Sequence, residues 1–224
     1  MDIEENVQEI HKRIAQACER SNRSPAEITL IAVTKTIDTQ AIRAAYACGI
    51  NNFGENRVQE AEAKIEQLLD LKPAVIWHMI GHLQSNKAGT AIELFDIIHS
   101  IDSVKLAKLV SQRTQKVLPV LLQVNISGEA TKSGFTTEQI TEAVEEIRQL
   151  PNLEMKGLMT IAPFVAKPEE VRHVFRKLRE LRDSLRLEHL SMGMTDDFEI
   201  AIEEGATILR IGQAIFGKRR WQCA

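Results

Sequence analysis

The chain of 224 residues contains few cysteines, few aromatic residues and little net charge. Its cysteines, Cys18, Cys48 and Cys223, are odd in number and lack C-x-x-C spacing, which argues against a disulfide framework or a zinc knuckle. A net charge of −3 provides no field that would attract phosphate backbones or anionic lipid. The one basic run, residues 218–220, would make too few phosphate contacts to hold a nucleic acid. We therefore expect no nucleic-acid binding.

Long hydrophobic stretches are also missing. No apolar run approaches the ~20 residues that a membrane-spanning helix requires, and the acidic start of the chain lacks the apolar segment of a signal peptide. The cysteine usage fits a reducing compartment. The sequence therefore predicts a cytoplasmic protein without membrane contacts, and a monomer is the default expectation.

A metal-binding pattern is not found either. His78 and His82 have the i, i+4 spacing of zinc ligands on a helix. Gly81 lies between them, and the surrounding residues have the pattern of a strand, so a helix is not expected there. No metal site is predicted.

Apolar segments of strand length alternate with segments whose apolar residues recur at helical intervals. Strands are predicted at residues 29–35, 51–55, 75–80, 97–101, 118–124, 154–160, 188–192 and 207–211. Short strands rich in Val, Ile and Leu, each followed by a helix, are typical of a parallel sheet buried on both faces. Eight such units predict an α/β fold, a single-domain TIM (β/α)8 barrel over residues 1–224 with an extra N-terminal helix. A doubly wound open sheet is the alternative, but it usually has G-x-G-x-x-G where this chain has Lys35-Thr36-Ile37-Asp38.

Lys35 is the leading candidate for chemistry because it ends the first predicted strand, and working residues of such barrels lie at the carboxyl ends of the strands. A lysine amine can form a Schiff base with an aldehyde once it has lost its proton. Apolar surroundings favour the neutral amine and so favour this reaction. The alternative is a strand-end lysine that simply reaches water.

Two late turns have the composition of a phosphate site. Ser191-Met192-Gly193-Met194-Thr195 begins at the end of the seventh predicted strand, and Arg210-Ile211-Gly212-Gln213 begins at the end of the eighth. In barrels of this type, phosphate often lies between these two loops, at the start of a short extra helix. The candidate phosphate-binding residues are Ser191, Gly193, Thr195, Gly212 and Gln213. Phosphate binding together with aldehyde capture points to pyridoxal phosphate.

Three further residues are expected at the same end of the barrel. Arg210 would meet the phosphate or the pyridine nitrogen of the cofactor, and an ion pair with Glu203 or Glu204 is the alternative. Because a guanidinium keeps its proton, a ring nitrogen beside Arg210 would stay unprotonated, and the cofactor would be a weak electron sink. Asn56 and His82 follow the second and third strands and are expected to line the site, although a simple loop role for His82 remains open.

Eight short segments spread over residues 29–217 form a combination that is specific to one protein family. They are Val33-Thr34-Lys35, Phe53-Gly54-Glu55-Asn56, His78-Met79-Ile80-Gly81-His82-Leu83-Gln84-Ser85-Asn86-Lys87, Lys132-Ser133-Gly134-Phe135, Gly157-Leu158-Met159-Thr160, Ser191-Met192-Gly193-Met194, Arg210-Ile211-Gly212 and Ile215-Phe216-Gly217. Together they resemble the pyridoxal phosphate homeostasis protein family, which is similar to a freestanding N-terminal barrel of alanine racemase. The only departures are Thr34 and Thr195, where the family pattern usually has serine.

The resemblance implies a barrel that holds pyridoxal 5'-phosphate as an aldimine on Lys35. It implies that the phosphate lies near Ser191, Gly193 and Gly212, and that Arg210 lies at the ring nitrogen. Asn56 and His82 carry over as residues that line the site. The function implied is intracellular homeostasis of the cofactor, and with it vitamin B6 and amino- and keto-acid balance, without robust catalysis. Enzymes that receive the cofactor are the implied partners.

Three other functions stay open. The first is a pyridoxal phosphate-dependent racemase-like enzyme, but the racemase relatives take their second base from a tyrosine in an additional β domain. The only tyrosine here, Tyr46, lies in the predicted helix 39–48, away from the strand ends. The second is an aldolase-like enzyme that uses Lys35 on a phosphorylated sugar. The third is a regulator that binds a partner through its outer helices.

Overall fold

The structure, a computed structural model, describes residues 2–129 and 131–217. Eight parallel strands close into a barrel in the order β1 to β8. The strands are β1 Thr29–Val33, β2 Asn52–Glu55, β3 Ile76–Met79, β4 Ile97–Ile101, β5 Leu118–Gln123, β6 Leu153–Met159, β7 His189–Ser191 and β8 Ile208–Ile211. The predicted TIM barrel is confirmed, and each strand boundary lies within two residues of its predicted position.

Helices connect successive strands and cover the outside of the barrel. In the described residues they are α1 Ile3–Arg20, α2 Thr39–Ala47, α3 Val58–Gln67, α4 Ala88–Leu94, α5 Val104–Arg113, α6 Ile140–Arg148, α7 Arg172–Ser184, α8 Phe198–Glu203 and α9 Gln213–Phe216. Short 3-10 helices lie at Pro25–Glu27, Lys72–Ala74, Ser85–Lys87 and Pro168–Val171. The basic run at residues 218–220 and Cys223 lie outside the described residues, and the single domain over residues 1–224 stays a prediction.

The additional N-terminal helix, α1, is present as predicted. Its apolar residues recur at helical spacing, and Val7, Ile10 and Ile14 are buried. The helix packs against α8 and α9, and the Asn6 side-chain amide donates to the carbonyl of Ile215 at 2.8 Å. α1 therefore supports the short helix α9, which follows the last strand of the barrel.

Two apolar layers result from the alternation of side chains along each strand. The larger layer lies between the strands and the helices, whereas a smaller cluster of Ile31, Leu121, Met159 and Ile208 packs separately. On β2, the Cα of Gly54 faces Ile31, because a Cβ added there would lie 2.8 Å from the Ile31 Cγ2 atom. The next residue, Glu55, faces the opposite way and bonds to α3. This alternation decides which strand residues can reach the open end of the barrel.

No helix within residues 2–129 and 131–217 is long and apolar enough to cross a membrane. The same residues contain no group of three or more His, Cys, Asp or Glu side chains that could hold a metal ion. The two cysteines among them, Cys18 and Cys48, are both thiols.

Candidate functional site

A cavity of about 640 Å³ lies at the carboxyl end of the barrel strands. Its size falls within the roughly 300–1,000 Å³ that small-molecule sites commonly have. Six of the nine predicted site residues line it: Lys35, Asn56, Thr195, Arg210, Gly212 and Gln213. Apolar parts of the wall come from Val33, Ile37, Ile80, Ile161, Met194 and Phe216. The structure therefore brings together predicted site residues that are as far apart in the chain as Lys35 and Gln213.

Lys35 lies in a turn that is held from the outside of the barrel. β1 ends at Val33, two residues earlier than predicted. The carbonyl of Thr34 accepts from Lys64 Nζ at 2.6 Å, and the N–H of Thr36 donates to Glu60 Oε1. Thr36 has a left-handed φ of 64°, which is uncommon outside glycine. Both peptide groups that flank Lys35 are thus anchored to helix α3.

The anchor includes a buried ion pair that the sequence analysis missed. Lys64 Nζ also donates to Glu55 Oε1 at 2.8 Å and to Glu60 Oε1 at 2.6 Å, while the hydroxyl of Thr34 donates to Glu55 Oε1 at 2.7 Å. Burial raises the pKa of Glu55, and Lys64 acts in the opposite direction. A signal was available in the sequence, because Lys64 falls on the apolar face of the helix predicted after the second strand, beside Ala61 and Ile65.

Arg210 reaches the cavity from inside the barrel and is only 5% exposed. Its NH1 donates to Ser191 Oγ at 2.6 Å and its NH2 to the carbonyl of Thr160 at 2.7 Å. Burial lowers the pKa of Arg210 to about 10, opposed by the nearby Asp197 carboxylate, so the guanidinium is charged at neutral pH. An ordered, partly desolvated cation at a cavity wall is suited to bind an electron-rich or anionic group.

The alternative ion pair of Arg210 with Glu203 or Glu204 is wrong. Glu203 Oε2 accepts from Arg172 at 2.7 Å, and Glu204 is bonded by arginines of α7. Both glutamates lie at the end of α8, on the helical layer outside the barrel, whereas Arg210 points into the barrel interior. The barrel sheet therefore lies between Arg210, on its inner face, and the two glutamates, on its outer side.

Three predicted site residues are not in the cavity wall that the described residues form. Ser191 is fully buried beneath Arg210, so its hydroxyl bonds to protein groups, and the expectation that it reaches a phosphate is not supported by this geometry. Gly193 has a left-handed φ of 93°, and a Cβ there would lie 2.7 Å from the Cβ of Ala201. Its role in this geometry is to permit the turn and the close approach of α8.

His82 lines a smaller, adjoining cavity of about 170 Å³ together with Lys132 and Ser133. The two cavities share Ile80 and Ile161 in their walls. The His82 Nδ1 atom lies 2.9 Å from Asp102 Oδ2, and the histidine side chain is 56% exposed. The structure therefore places His82 beside the main cavity and near solvent.

The loops after β7 and β8 meet at the start of α9. Thr195 Oγ1 accepts from the N–H of Ala214 at 3.4 Å, and this contact joins the two loops. A Cβ on Gly212 would lie 3.2 Å from the carbonyl oxygen of Val33, so the end of β8 passes close to the end of β1. The short helix expected after Gly212 is present as α9.

The buried Oδ1 atom of Asn56 shows whether the cavity suits a compound that carries both an aldehyde and a phosphate. Asn56 lines the cavity, and its Oδ1 is buried without a hydrogen-bond partner in the part of the chain that the structure describes. A buried polar atom without a partner costs about 1–3 kcal/mol, which a polar ligand would offset. Lys35 supplies an amine, Arg210 a cation, and Thr195 and Gln213 polar groups. The residues present fit pyridoxal phosphate.

The barrel and its cavity define a protein of the alanine racemase N-terminal type, and the sequence profile of the family "Alanine racemase, N-terminal domain" matches residues 3–220. The chain is 46% identical over 230 residues to the pyridoxal phosphate homeostasis protein of Aquifex aeolicus, covering 99% of this chain and 100% of that protein. It is 45% identical over 222 residues to the protein of the same name from Pseudomonas aeruginosa, covering 97% and 96%. The chain therefore belongs to the pyridoxal phosphate homeostasis protein family, as its sequence motifs predicted.

A solved structure supports the same assignment. PipY of Synechococcus elongatus, determined with pyridoxal phosphate bound, is 39% identical and superimposes with a TM-score of 0.82, covering 93% of this chain and 100% of PipY. The likeness thus extends over the whole barrel.

Proposed function

We propose that this protein binds pyridoxal 5'-phosphate covalently through Lys35 and takes part in intracellular homeostasis of the cofactor, without robust catalysis. The observation that carries the proposal is one cavity in which three groups converge: Lys35, the buried Arg210, and the amide oxygen of Asn56, which has no partner among the described residues. The names of the two bacterial relatives and the ligand bound to PipY support it.

Each residue of the cavity has a role in this proposal. The cofactor supplies an aldehyde, and its condensation with the Lys35 amine releases one water. Thr195, Gly212 and Gln213 are assigned to the phosphate, because they form the junction of the β7 and β8 loops. Arg210 is assigned to the ring nitrogen. Ser191 and Gly193 are assigned to support of these groups from beneath, and His82 to the rim.

The absence of robust turnover is part of the proposal, and two observations support it. Tyr46, the one tyrosine of the chain, lies in α2 and packs against the helical layer. Arg210 is charged at neutral pH, so a ring nitrogen facing it would stay unprotonated and the ring would withdraw electrons weakly. A racemase-like enzyme is the alternative, and it predicts exchange of the α-proton of an amino acid in deuterated water. Measurable exchange would favour that alternative.

The direct test is the absorption spectrum of the purified protein with added pyridoxal phosphate, followed by borohydride reduction and peptide mapping. We expect a yellow protein whose reduced adduct maps to Lys35. Lys35→Ala should lose the band and stay folded, whereas Lys105→Ala, a control at an exposed helical lysine, should retain it. An adduct on another lysine would refute the assignment, and a protein that stays colourless would favour the aldolase-like alternative.

The proposal extends to the setting of the protein. A cytoplasmic location follows from the cysteine usage, and a monomer remains the default. Recipient enzymes of the cofactor are the proposed partners. Size-exclusion chromatography with light scattering tests the monomer, and transfer of cofactor to an apo-enzyme across a dialysis membrane tests whether contact is required.

A further inference from the structure

A continuous chain of hydrogen bonds runs through the barrel beneath Arg210. Arg210 NH1 lies 2.6 Å from Ser191 Oγ, which lies 2.9 Å from His99 Nδ1. His99 Nε2 lies 3.0 Å from His78 Nδ1, and His78 Nε2 lies 2.9 Å from Asn52 Oδ1. Asn52 is the first residue of β2, so the chain crosses the barrel from the cavity towards its opposite end.

The three central members of this chain are isolated from water. Ser191 and His99 are fully buried, and His78 is 1% exposed. The two imidazole rings meet edge to face, with their centroids 5.1 Å apart and an interplanar angle of 74°. In such a setting each polar atom must find its partner within the protein, because a missing hydrogen bond is not replaced by solvent.

The two ends of the chain determine where every proton lies. A guanidinium can only donate, so Ser191 Oγ accepts from Arg210. Among the described residues, the one acceptor left for the Ser191 O–H is His99 Nδ1, so Ser191 donates to it. At the other end, the amide of Asn52 donates through its Nδ2 to Asn51, so its Oδ1 is the atom that accepts from His78 Nε2–H. The link between the rings is then a donation from His99 Nε2–H to His78 Nδ1.

Only this direction satisfies all the groups. In the reverse direction, Ser191 Oγ would accept from both Arg210 and His99 Nδ1–H, and its own buried O–H would have no acceptor among the described residues. A second proton on His78 would place two donors between the histidines, and a second proton on His99 would place a donor against the Ser191 hydroxyl proton. Burial lowers the pKa of His78 to about 3, and burial, together with the charge of Arg210, lowers the pKa of His99 well below its ordinary value. Both rings are therefore neutral.

We propose that Ser191, His99 and His78 are positioning residues that hold the Arg210 guanidinium in one orientation, with both histidines fixed as the Nε2–H tautomer. Thr160 O accepts from NH2 at 2.7 Å, so two nitrogens of the guanidinium are held from below. An arginine that is ordered before the ligand arrives costs less to immobilise on binding. The benefit to pyridoxal phosphate binding rests on the proposed function, whereas the tautomers do not depend on it.

The first experiment uses the full-length, ligand-free protein labelled with 15N-histidine. Two-dimensional spectra that correlate ring nitrogens with ring carbon-bound protons report which nitrogen carries the proton, and His78→Gln and His99→Gln assign the signals. At pH 7 we expect both rings to be neutral with the proton on Nε2. A proton on Nδ1 of either ring, or a doubly protonated ring, overturns the proposal.

The second experiment removes the link to Arg210 and includes a matched control. Ser191→Ala deletes the hydroxyl between Arg210 and His99, whereas Ser100→Ala deletes a buried hydroxyl on β4 that has no hydrogen-bond partner among the described residues. We expect Ser191→Ala to allow the other tautomer at His99 and to weaken pyridoxal phosphate binding about tenfold, since one charge-assisted hydrogen bond is lost. Ser100→Ala should change neither.

The outcomes separate this proposal from the proposed function. A Ser191→Ala protein with unchanged tautomers and unchanged affinity would show that the chain does not position Arg210. If the wild type fails to bind pyridoxal phosphate but shows the two Nε2–H rings, the proposed function is wrong and the directed hydrogen-bond chain stands.

Discussion

Replacing Lys64 by methionine removes the ammonium group that joins three acceptors behind the Lys35 turn. Lys64 Nζ donates to the carbonyl of Thr34 at 2.6 Å, to Glu55 Oε1 at 2.8 Å and to Glu60 Oε1 at 2.6 Å. Methionine has a similar length and apolar character, so packing against the barrel is largely kept. The stability lost in Lys64→Met is therefore mainly electrostatic.

The size of the effect follows from the burial of Glu55. This residue is fully buried, and without Lys64 its carboxylate keeps only the bond from the Thr34 hydroxyl at 2.7 Å. Removing one partner of a buried ion pair costs about 3–5 kcal/mol. Burial already raises the pKa of Glu55, so the carboxyl group can take up a proton, and we expect the lower end of this range. At roughly 2–4 °C per kcal/mol for a domain of this size, a loss of about 3 kcal/mol lowers Tm by roughly 6–12 °C.

Urea unfolding of four proteins tests the reasoning. Lys64→Met should lose about 3 kcal/mol, whereas the double variant Glu55→Gln/Lys64→Met should recover part of this loss because no buried carboxylate remains. Lys108→Met is the matched control, because it breaks an exposed pair with Glu146 whose side chains are 49% and 46% exposed. Exposed pairs contribute at most about 1 kcal/mol.

Two results would refute this account. The first is a Lys64→Met protein as stable as the Lys108→Met control, and the second is a double variant that is less stable than Lys64→Met alone. A second readout is the rate at which borohydride traps pyridoxal phosphate on Lys35. That rate should fall in Lys64→Met, since the Thr34 carbonyl before Lys35 loses its anchor.

Three other perturbations give distinct expectations. Because the folded-state pKa of His78, about 3, lies below the ordinary value of 6.5, the stability that the neutral ring provides is complete above pH 6.5 and is lost as the pH falls towards 3. At about 1.4 kcal/mol per pH unit, His78 should account for about 2 kcal/mol of lost stability at pH 5. Urea unfolding of the wild type and of His78→Gln measures this loss, and an identical pH dependence in the variant would contradict it. Gly193→Ala should lower the free energy of unfolding by about 1–3 kcal/mol more than Gly49→Ala in the same assay. Both glycines have φ near 90°, but of the two only Gly193 has a neighbour that an added Cβ would clash with. Equal losses would show that backbone strain alone matters. Asn56→Ala should leave Tm nearly unchanged, because the Asn56 Oδ1 has no partner within the described chain. The same change should weaken pyridoxal phosphate binding several-fold, as measured by titration. A large loss of Tm would show a structural role.

Much of the fold could be predicted because it is encoded locally. Strand-length runs of Val, Ile and Leu alternate with amphipathic helices, and this pattern requires a parallel sheet covered on both faces. The additional helix at Ile3–Arg20 and the turn at Pro25–Glu27, with its Ser24 and Glu27 capping box, are likewise local signals that the structure contains. The end of β1 at Val33 was predicted two residues late, because Thr34 and Lys35 follow the apolar run directly and the sequence contains no turn signal before Thr36, which has a left-handed φ.

The site could be predicted only in part. Lys35, Asn56 and Gly212 follow strands of a barrel and Arg210 lies near the end of one, so their convergence at one end is a consequence of topology. The positions of Ser191 and His82 depended on more than topology. Ser191 points into the barrel interior and bonds to His99, a residue 92 positions away, whereas His82 points to Asp102 at the rim.

The sequence by itself therefore determined the eight-fold strand and helix repeat, the family, and the place of Lys35 after the first strand, because each depends on neighbouring residues or on short motifs. Tertiary structure alone decided that Lys64 anchors the Lys35 turn and that Arg210 continues into the buried chain of Ser191, His99 and His78. The physical reason is that these contacts depend on the face to which each strand residue points and on the register in which the barrel closes. Residues 19 to 92 positions apart, such as Arg210 and Ser191 or Ser191 and His99, become neighbours only once that register is set.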